Sequence, residues 1–309
     1  MAEISYSVVK ASARKGQLLS DQQIMDLASS KDLKEFITKL KDRYPSLLTL
    51  GAKPTLENID KALFEAFCEE VQEFIGVFPK AEKILGLLKQ DLEEGKVAQE
   101  LSEVLRERKG KEKEYEELVA KLHRIGFDEE VKEGERIFEK YGIPGLIASA
   151  FARRRLLKLT VLLKKYKADV SEVLAEYLKL KIDEFNLTTL MRGIKNGIRR
   201  DALEELFISD GKRFKEKLLR EAVKAPDLGK AISVLGYGHL QEDPRSLERE
   251  LEKEIRGILT KAYYGGYTDL AAVIGYLELK KLEVLNLIRV ANCIERGIAP
   301  KDVSAEFLF

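Results

Sequence analysis

The sequence predicts an all-α protein, and three observations predict it. Apolar residues recur at three- and four-residue spacing through most of the 309 residues, which is the period of a helix with one buried face. Alternating runs of β-branched residues bounded by turns, the mark of strands, are missing. The chain also repeats itself: a shift of about 100 residues lays one helical pattern on another, as in proteins built from copies of a supersecondary unit.

The elements follow in order. Ser20 with Gln23 three residues on reads as a capping box, so a helix starts at 21. Between Arg106 and Glu117 every residue except Gly110 and Tyr115 is charged. Such a run predicts a solvated helix face or hairpin between the first and second thirds. Asp169 with Glu172 reads as another capping box, opening the stripe Val170, Val173, Leu174, Tyr177 and Leu178. That stripe shifts near Leu180, which predicts a kinked or split helix. A loop region is expected from Ala225 to Ser246, where Pro226, Gly229 and Gly236 interrupt the pattern. Val273, Ile274, Leu277, Val284, Ile288 and Ala291 form most of a last stripe.

The repeat joins these pieces without a gap. Asp169 falls on Asp269, Val173 on Val273, Leu174 on Ile274, Lys181 on Lys281 and Leu187 on Leu287. Asp183 falls on Glu283, Asn186 on Asn286, and Gly197-Ile198 on Gly297-Ile298. Each match has a physical role. Asp169 and Asp269 stand where a short side-chain oxygen caps a helix. The Gly-Ile pairs stand where a helix stops in a left-handed residue and an apolar residue folds back. Each acid precedes its asparagine by three, so both polar groups share one helix face. That face is a ligand site or, on the reading favoured by its duplication, a polar anchor that fixes the register of neighbouring helices. Near Asp91 the first third resembles this pattern in degenerate form, with Glu94 in the asparagine's place. Three units are therefore expected, at 1–105, 106–205 and 206–309, and three similar helical units tend to pack around a pseudo-threefold axis.

Composition excludes several functions. The charges nearly cancel, 54 basic against 53 acidic, so no global field favours nucleic acid. No stretch approaches the ~20 apolar residues that cross a bilayer, and no secretory leader is recognisable. Cys68 and Cys293 sit in apolar helical patterns and read as small buried hydrophobes. Two histidines, His123 and His239, are too isolated for a metal cluster. A phosphate loop ending in Lys-Ser or Lys-Thr is missing, as is any nucleophile paired with a histidine. The expectation is a non-enzymatic protein with no cofactor and no metal. Arg153, Arg154 and Arg155 form the only compact basic cluster. They read either as a contact for an acidic partner or as the wet side of a helix whose apolar side is Leu156, Leu159 and Leu163. Aromatic residues do not interleave there, as base stacking would need.

A family resemblance rests on Tyr6, Ala11-Ser12-Ala13-Arg14, Leu18-Leu19, Arg43-Tyr44 and two motifs. These are Tyr177-Leu178-Lys179-Leu180-Lys181-Ile182-Asp183-Glu184-Phe185-Asn186-Leu187 and Tyr276-Leu277-Glu278-Leu279-Lys280-Lys281-Leu282-Glu283-Val284-Leu285-Asn286-Leu287-Ile288-Arg289. In order, spacing and total length the chain resembles the C subunit of archaeal and vacuolar-type rotary ATPases, called d in eukaryotes. It departs from that pattern at Glu94, and at Thr189, which stands where Arg289 does a hundred residues later. The resemblance implies a funnel of three helical bundles around a hollow. It would be a non-catalytic cytoplasmic subunit, peripheral to the membrane through its complex, whose partners are the central-stalk subunits and the membrane proteolipid ring. It would carry torque between them and bind no nucleic acid. The rival expectations are a helical-repeat scaffold of an unrelated soluble complex and an RNA-binding helical protein working through Arg153 to Arg155.

Overall fold

The computed structural model describes residues 2–14, 16–51, 54–107, 110, 112–166, 171–240, 245–266 and 268–299. Its helices are α1 (Ala2–Ala13), α2 (Asp21–Ala28), α3 (Leu33–Leu40), α4 (Leu56–Val77), α5 (Glu82–Arg106), α6 (Glu112–Arg124) and α7 (Asp128–Tyr141). There follow α8 (Leu146–Lys165), α9 (Glu172–Lys195), α10 (Arg200–Leu206), α11 (Glu216–Ala222), α12 (Leu228–Val234), α13 (Arg245–Tyr264) and α14 (Leu270–Glu295). Strands are absent among the described residues. The all-α expectation holds.

The starts and stops obey local chemistry. Ser20 and Gln23 form the expected capping box, each side chain accepting the other's backbone N–H at 3.2 and 2.9 Å. Asp269 caps α14 by accepting the N–H of Ala271 at 2.7 Å. Asp169, with its neighbour Val170, lies outside the described residues. The Gly-Ile stops are alike in both long helices. Gly197 (φ 63°) and Gly297 (φ 65°) are left-handed, and Ile198 and Ile298 donate back to the Gly193 and Cys293 carbonyls at 2.8 and 2.9 Å.

Two expectations need correction. α9 and α14 are unbroken helices with no split near Leu180 or its counterpart. The stripe shifts there because these helices are buried nearly all round, so a single apolar face is not required. In α14, 18 of 26 residues are buried, including four charged ones. The expected loop at 225–246 also contains α12, because Asp227 caps it by accepting the N–H of Lys230 at 2.8 Å. Of the two cysteines, Cys293 is buried and Cys68 half-buried.

The chain forms two compact units. Unit 1 comprises Met1–Lys89, Asp169–Leu174 and Arg256–Phe309, and unit 2 comprises Gln90–Ala168 and Ala175–Ile255. In unit 1, α14 packs against α1, α2, α3 and α4. Phe74 of α4, Tyr276 of α14 and Tyr263 of α13 form an aromatic chain, with centroids 5.7 and 5.3 Å apart. In unit 2, α7 and α8 pack along each other. The core there gathers Leu101, Leu105, Leu122, Phe127, Ile147 and Phe151.

Candidate functional site

In unit 1 the acid of the repeated motif, Glu283, is 4% exposed in the middle of α14. Its carboxylate accepts the backbone N–H of Leu19 at 2.6 Å, the hydroxyl of Tyr44 at 2.5 Å and the ammonium of Lys280 at 2.7 Å. The Lys280 ammonium also lies 4.5 Å over the Tyr44 ring. Burial, and then the Glu283 charge, hold the Tyr44 hydroxyl well above the ordinary tyrosine pKa, so it stays a donor. One turn away Lys281 pairs with Glu278 at 2.6 Å, both buried. Each buried charge of α14 thus has a partner, as the cost of burying an unpaired ion demands. Glu283 is a clamp that ties the chain around Leu19 and Tyr44 to α14.

In unit 2 the corresponding acid, Asp183, is 0% exposed on α9. It accepts the N–H of Arg213 at 2.7 Å and of Phe214 at 3.0 Å. Burial raises its pKa, and those backbone donors work against the rise. One turn on, Asn186 donates to the Ile208 carbonyl at 2.8 Å and accepts the Ile208 N–H at 2.9 Å. Gly211 belongs to this clamp, since a Cβ there would collide with an Asp183 carboxylate oxygen.

The two acids hold the same piece of structure. Leu19 and Phe214 each immediately precede the N-cap residue of a short helix, α2 or α11. A shift of 195 residues then carries Ile24, Leu27, Ala28, Ile37 and Leu40 onto Leu219, Ala222, Val223, Ile232 and Leu235. All ten are buried. The same shift carries Asp32 onto Asp227, which cap α3 and α12 by accepting the third N–H, each at 2.8 Å. Tyr44 and Tyr237 then lead into short 3-10 turns. So α14 and α9 each grip a two-helix module by a buried acid. The module precedes α14 in the chain but follows α9. The constant shift of about 100 residues could not reveal this, and the remaining signal was the Asp32-Leu33 and Asp227-Leu228 pair with a tyrosine downstream.

The remaining motif residues are dispersed. Asn286 lines a pocket of about 320 Å³ together with Leu18, Leu19, Leu279, Leu282 and Glu283. Arg289 is half-buried on α14, and Thr189, its counterpart on α9, is buried. Arg153, Arg154 and Arg155 sit on α8, each paired inside unit 2. Arg153 pairs with Glu133 at 3.2 Å, Arg154 with Glu129 at 2.6 Å, and Arg155 with Glu94 at 2.6 Å and with Asp91. The degenerate motif of the first third therefore grips a guanidinium where the other two grip backbone. Arg155 and Glu94 line a cavity of about 460 Å³ with Lys181, Glu184, Arg192 and Glu248. Burial, opposed by Arg155, pushes the Glu94 carboxyl up to about 7. Among the described residues no three His, Cys, Asp or Glu side chains gather as metal ligands. None of their helices is long and apolar enough to cross a membrane.

Similar proteins are found among the C subunits of A-type ATP synthases. The C subunit of the A-type ATP synthase of Thermococcus onnurineus is 24% identical over an alignment 330 positions long, gaps included, covering 97% of this chain and 88% of the relative. The corresponding C subunits of a Desulfurococcus species and of Pyrococcus furiosus are 24% and 22% identical, each again over 97% of this chain. The family described as ATP synthase (C/AC39) subunit matches residues 98–306, which hold α9, α14 and both polar motifs. With that match spanning well over half of its length, the chain belongs to the ATP synthase (C/AC39) subunit family.

Proposed function

We propose that this chain is the connector of an A/V-type rotary ATPase, joining the central stalk to the membrane proteolipid ring and passing torque between them. Family membership by itself makes it a non-catalytic part of such an ATPase. The observation that carries the finer reading is the similarity to A-type C subunits along 97% of the chain. The physics of the clamps supports it. A part that transmits torque must resist twisting, and a helix whose buried acid is bonded to a neighbouring module at two or three points cannot slide without breaking charge-assisted hydrogen bonds. Three such units, at 1–105, 106–205 and 206–309, form the expected pseudo-threefold connector in this reading. The motif residues Asp183, Asn186, Glu283, Asn286, Arg289 and Asp269 are its internal fixings. The polar 460 Å³ cavity beside Arg155 suits a docked and releasable contact better than a permanent one.

The test is reconstitution. An ATPase assembled without this chain is expected to hydrolyse ATP in its soluble part but not to drive ion transport across vesicles, and adding the chain back restores transport. Full coupling in its absence would overturn the reading.

A further inference from the structure

The register that lays α9 on α14 also shows where the two helices part. Glu184 stands where α14 has Val284, Thr188 where it has Ile288, and Thr189 where it has Arg289. Arg289 is half-buried and engaged. Thr189 is 4% exposed, and among the described residues its hydroxyl has no hydrogen-bonding partner. Buried hydroxyls are normally bonded.

These positions of α9 face one place. Glu184, Thr188 and Thr189 line the cavity of about 460 Å³ in unit 2, which α5, α8 and α13 close from the other sides. Four carboxylates open on it, Glu94, Glu184, Glu248 and Glu252, against three cations, Arg155, Lys181 and Arg192. Ser149 adds a hydroxyl, Phe185 a ring, and small or aliphatic residues complete the wall. Two of the cations are already taken, Arg155 by Asp91 and Glu94, and Lys181 by Glu184. Arg192 stays exposed. Glu248 accepts a long bond from the Thr188 hydroxyl, 3.4 Å, and pairs with no cation among the described residues.

An excess carboxylate beside a free buried hydroxyl calls for a cation that also donates hydrogen bonds. A guanidinium does both, through five N–H groups in a flat fork. It is also the group that α14 carries at this register position and α9 lacks. We propose that the unit 2 cavity is the seat of an arginine side chain presented by another subunit, its guanidinium lying between Glu248 and Thr189. This rests on the reading of the chain as a connector that docks other subunits, and it names the chemistry of one docked group.

The seat can be filled from within the chain. At about pH 8, above the raised value of the Glu94 carboxyl, T189R and T189M are compared by urea denaturation of the lone protein. Both put a long side chain into the cavity, and only arginine brings the charge. T189R is expected to have the higher midpoint at low salt, with the difference shrinking in about 1 M NaCl. An equal or lower midpoint for T189R, or failure of both variants to fold, overturns the proposal. In the wild type, N-acetyl-arginine amide is expected to shift the amide resonances of residues 184–192. Its uncharged citrulline analogue should bind roughly tenfold more weakly, and T189R should respond to neither. Equal responses to the two compounds, no response to either, or an unaltered response in T189R also overturns it. Both measurements use the lone chain, so they are decided apart from the reconstitution that tests the connector role.

Discussion

Asn186 shows how much one side chain fixes. It satisfies both backbone groups of Ile208, and both are buried with it. N186L leaves those two groups unpaired and is expected to destabilise the protein by about 1–3 kcal/mol; an unchanged midpoint in chemical denaturation would refute the role. G211A pushes a methyl against Asp183 and should cost about 1–3 kcal/mol through the strain of displacing a fully packed acid. Glu94 makes a prediction in pH. Its carboxyl is raised from an ordinary 4.5 to about 7 by burial, against the pull of Arg155 and with Asp91 and Glu130 nearby. A raised carboxyl pKa means the fold favours the neutral form. That contribution is complete below pH 4.5 and is lost as the pH climbs to about 7. Stability of the wild type minus that of E94Q should therefore fall across this window, by roughly 1–3 kcal/mol. A flat difference between pH 4.5 and 7 would show that Glu94 titrates normally. The arginine cluster teaches the converse. Three consecutive basic residues read as a surface patch, yet carboxylates of α5 and α7 engage all three, and the Arg155 side chain is only 11% exposed.

At the scale of elements, the modules α2–α3 and α11–α12 are equivalent, and their helices are too short to be stable alone. Caps and docking hold them. Asp32 and Asp227 make the same bond in the same place, so D32A and D227A should each cost about 1 kcal/mol. A thermal-shift comparison checks both the size and the equality; a much larger loss from one would mean that the modules are not alike. Helix types, starts and stops were legible in the sequence because they depend on neighbours three to five residues away, as with Ser20 and Gln23, Asp269, and Gly297-Ile298. The unbroken course of α9 and α14 was not legible. A shifting apolar stripe marks a kink in a half-buried helix and nothing at all in one buried on every side.

At the scale of the molecule, the clamp on α14 joins distant parts of the chain. Glu283 accepts from Leu19, 264 residues earlier, and Tyr263 of α13 donates to the Ala11 carbonyl at 2.8 Å. The first fifty residues should therefore open together with α14, not fray as a terminal segment does. Native-state hydrogen exchange is expected to give the amides of Leu19 to Ala28 protection comparable to the middle of α14. Exchange at rates typical of a loose end would show that the clamp does not couple them.

The sequence by itself determined the helices, their caps, the repeat of α9 in α14 and the positions of the paired acid and asparagine, because periodicity and capping are written in short-range residue choice. Only the tertiary structure decided what those acids hold. Asp183 takes a segment 30 residues ahead and Glu283 one 264 residues behind. Each grips a backbone N–H, and a backbone N–H is the same in every residue except proline, so the partner leaves no trace in the amino-acid code.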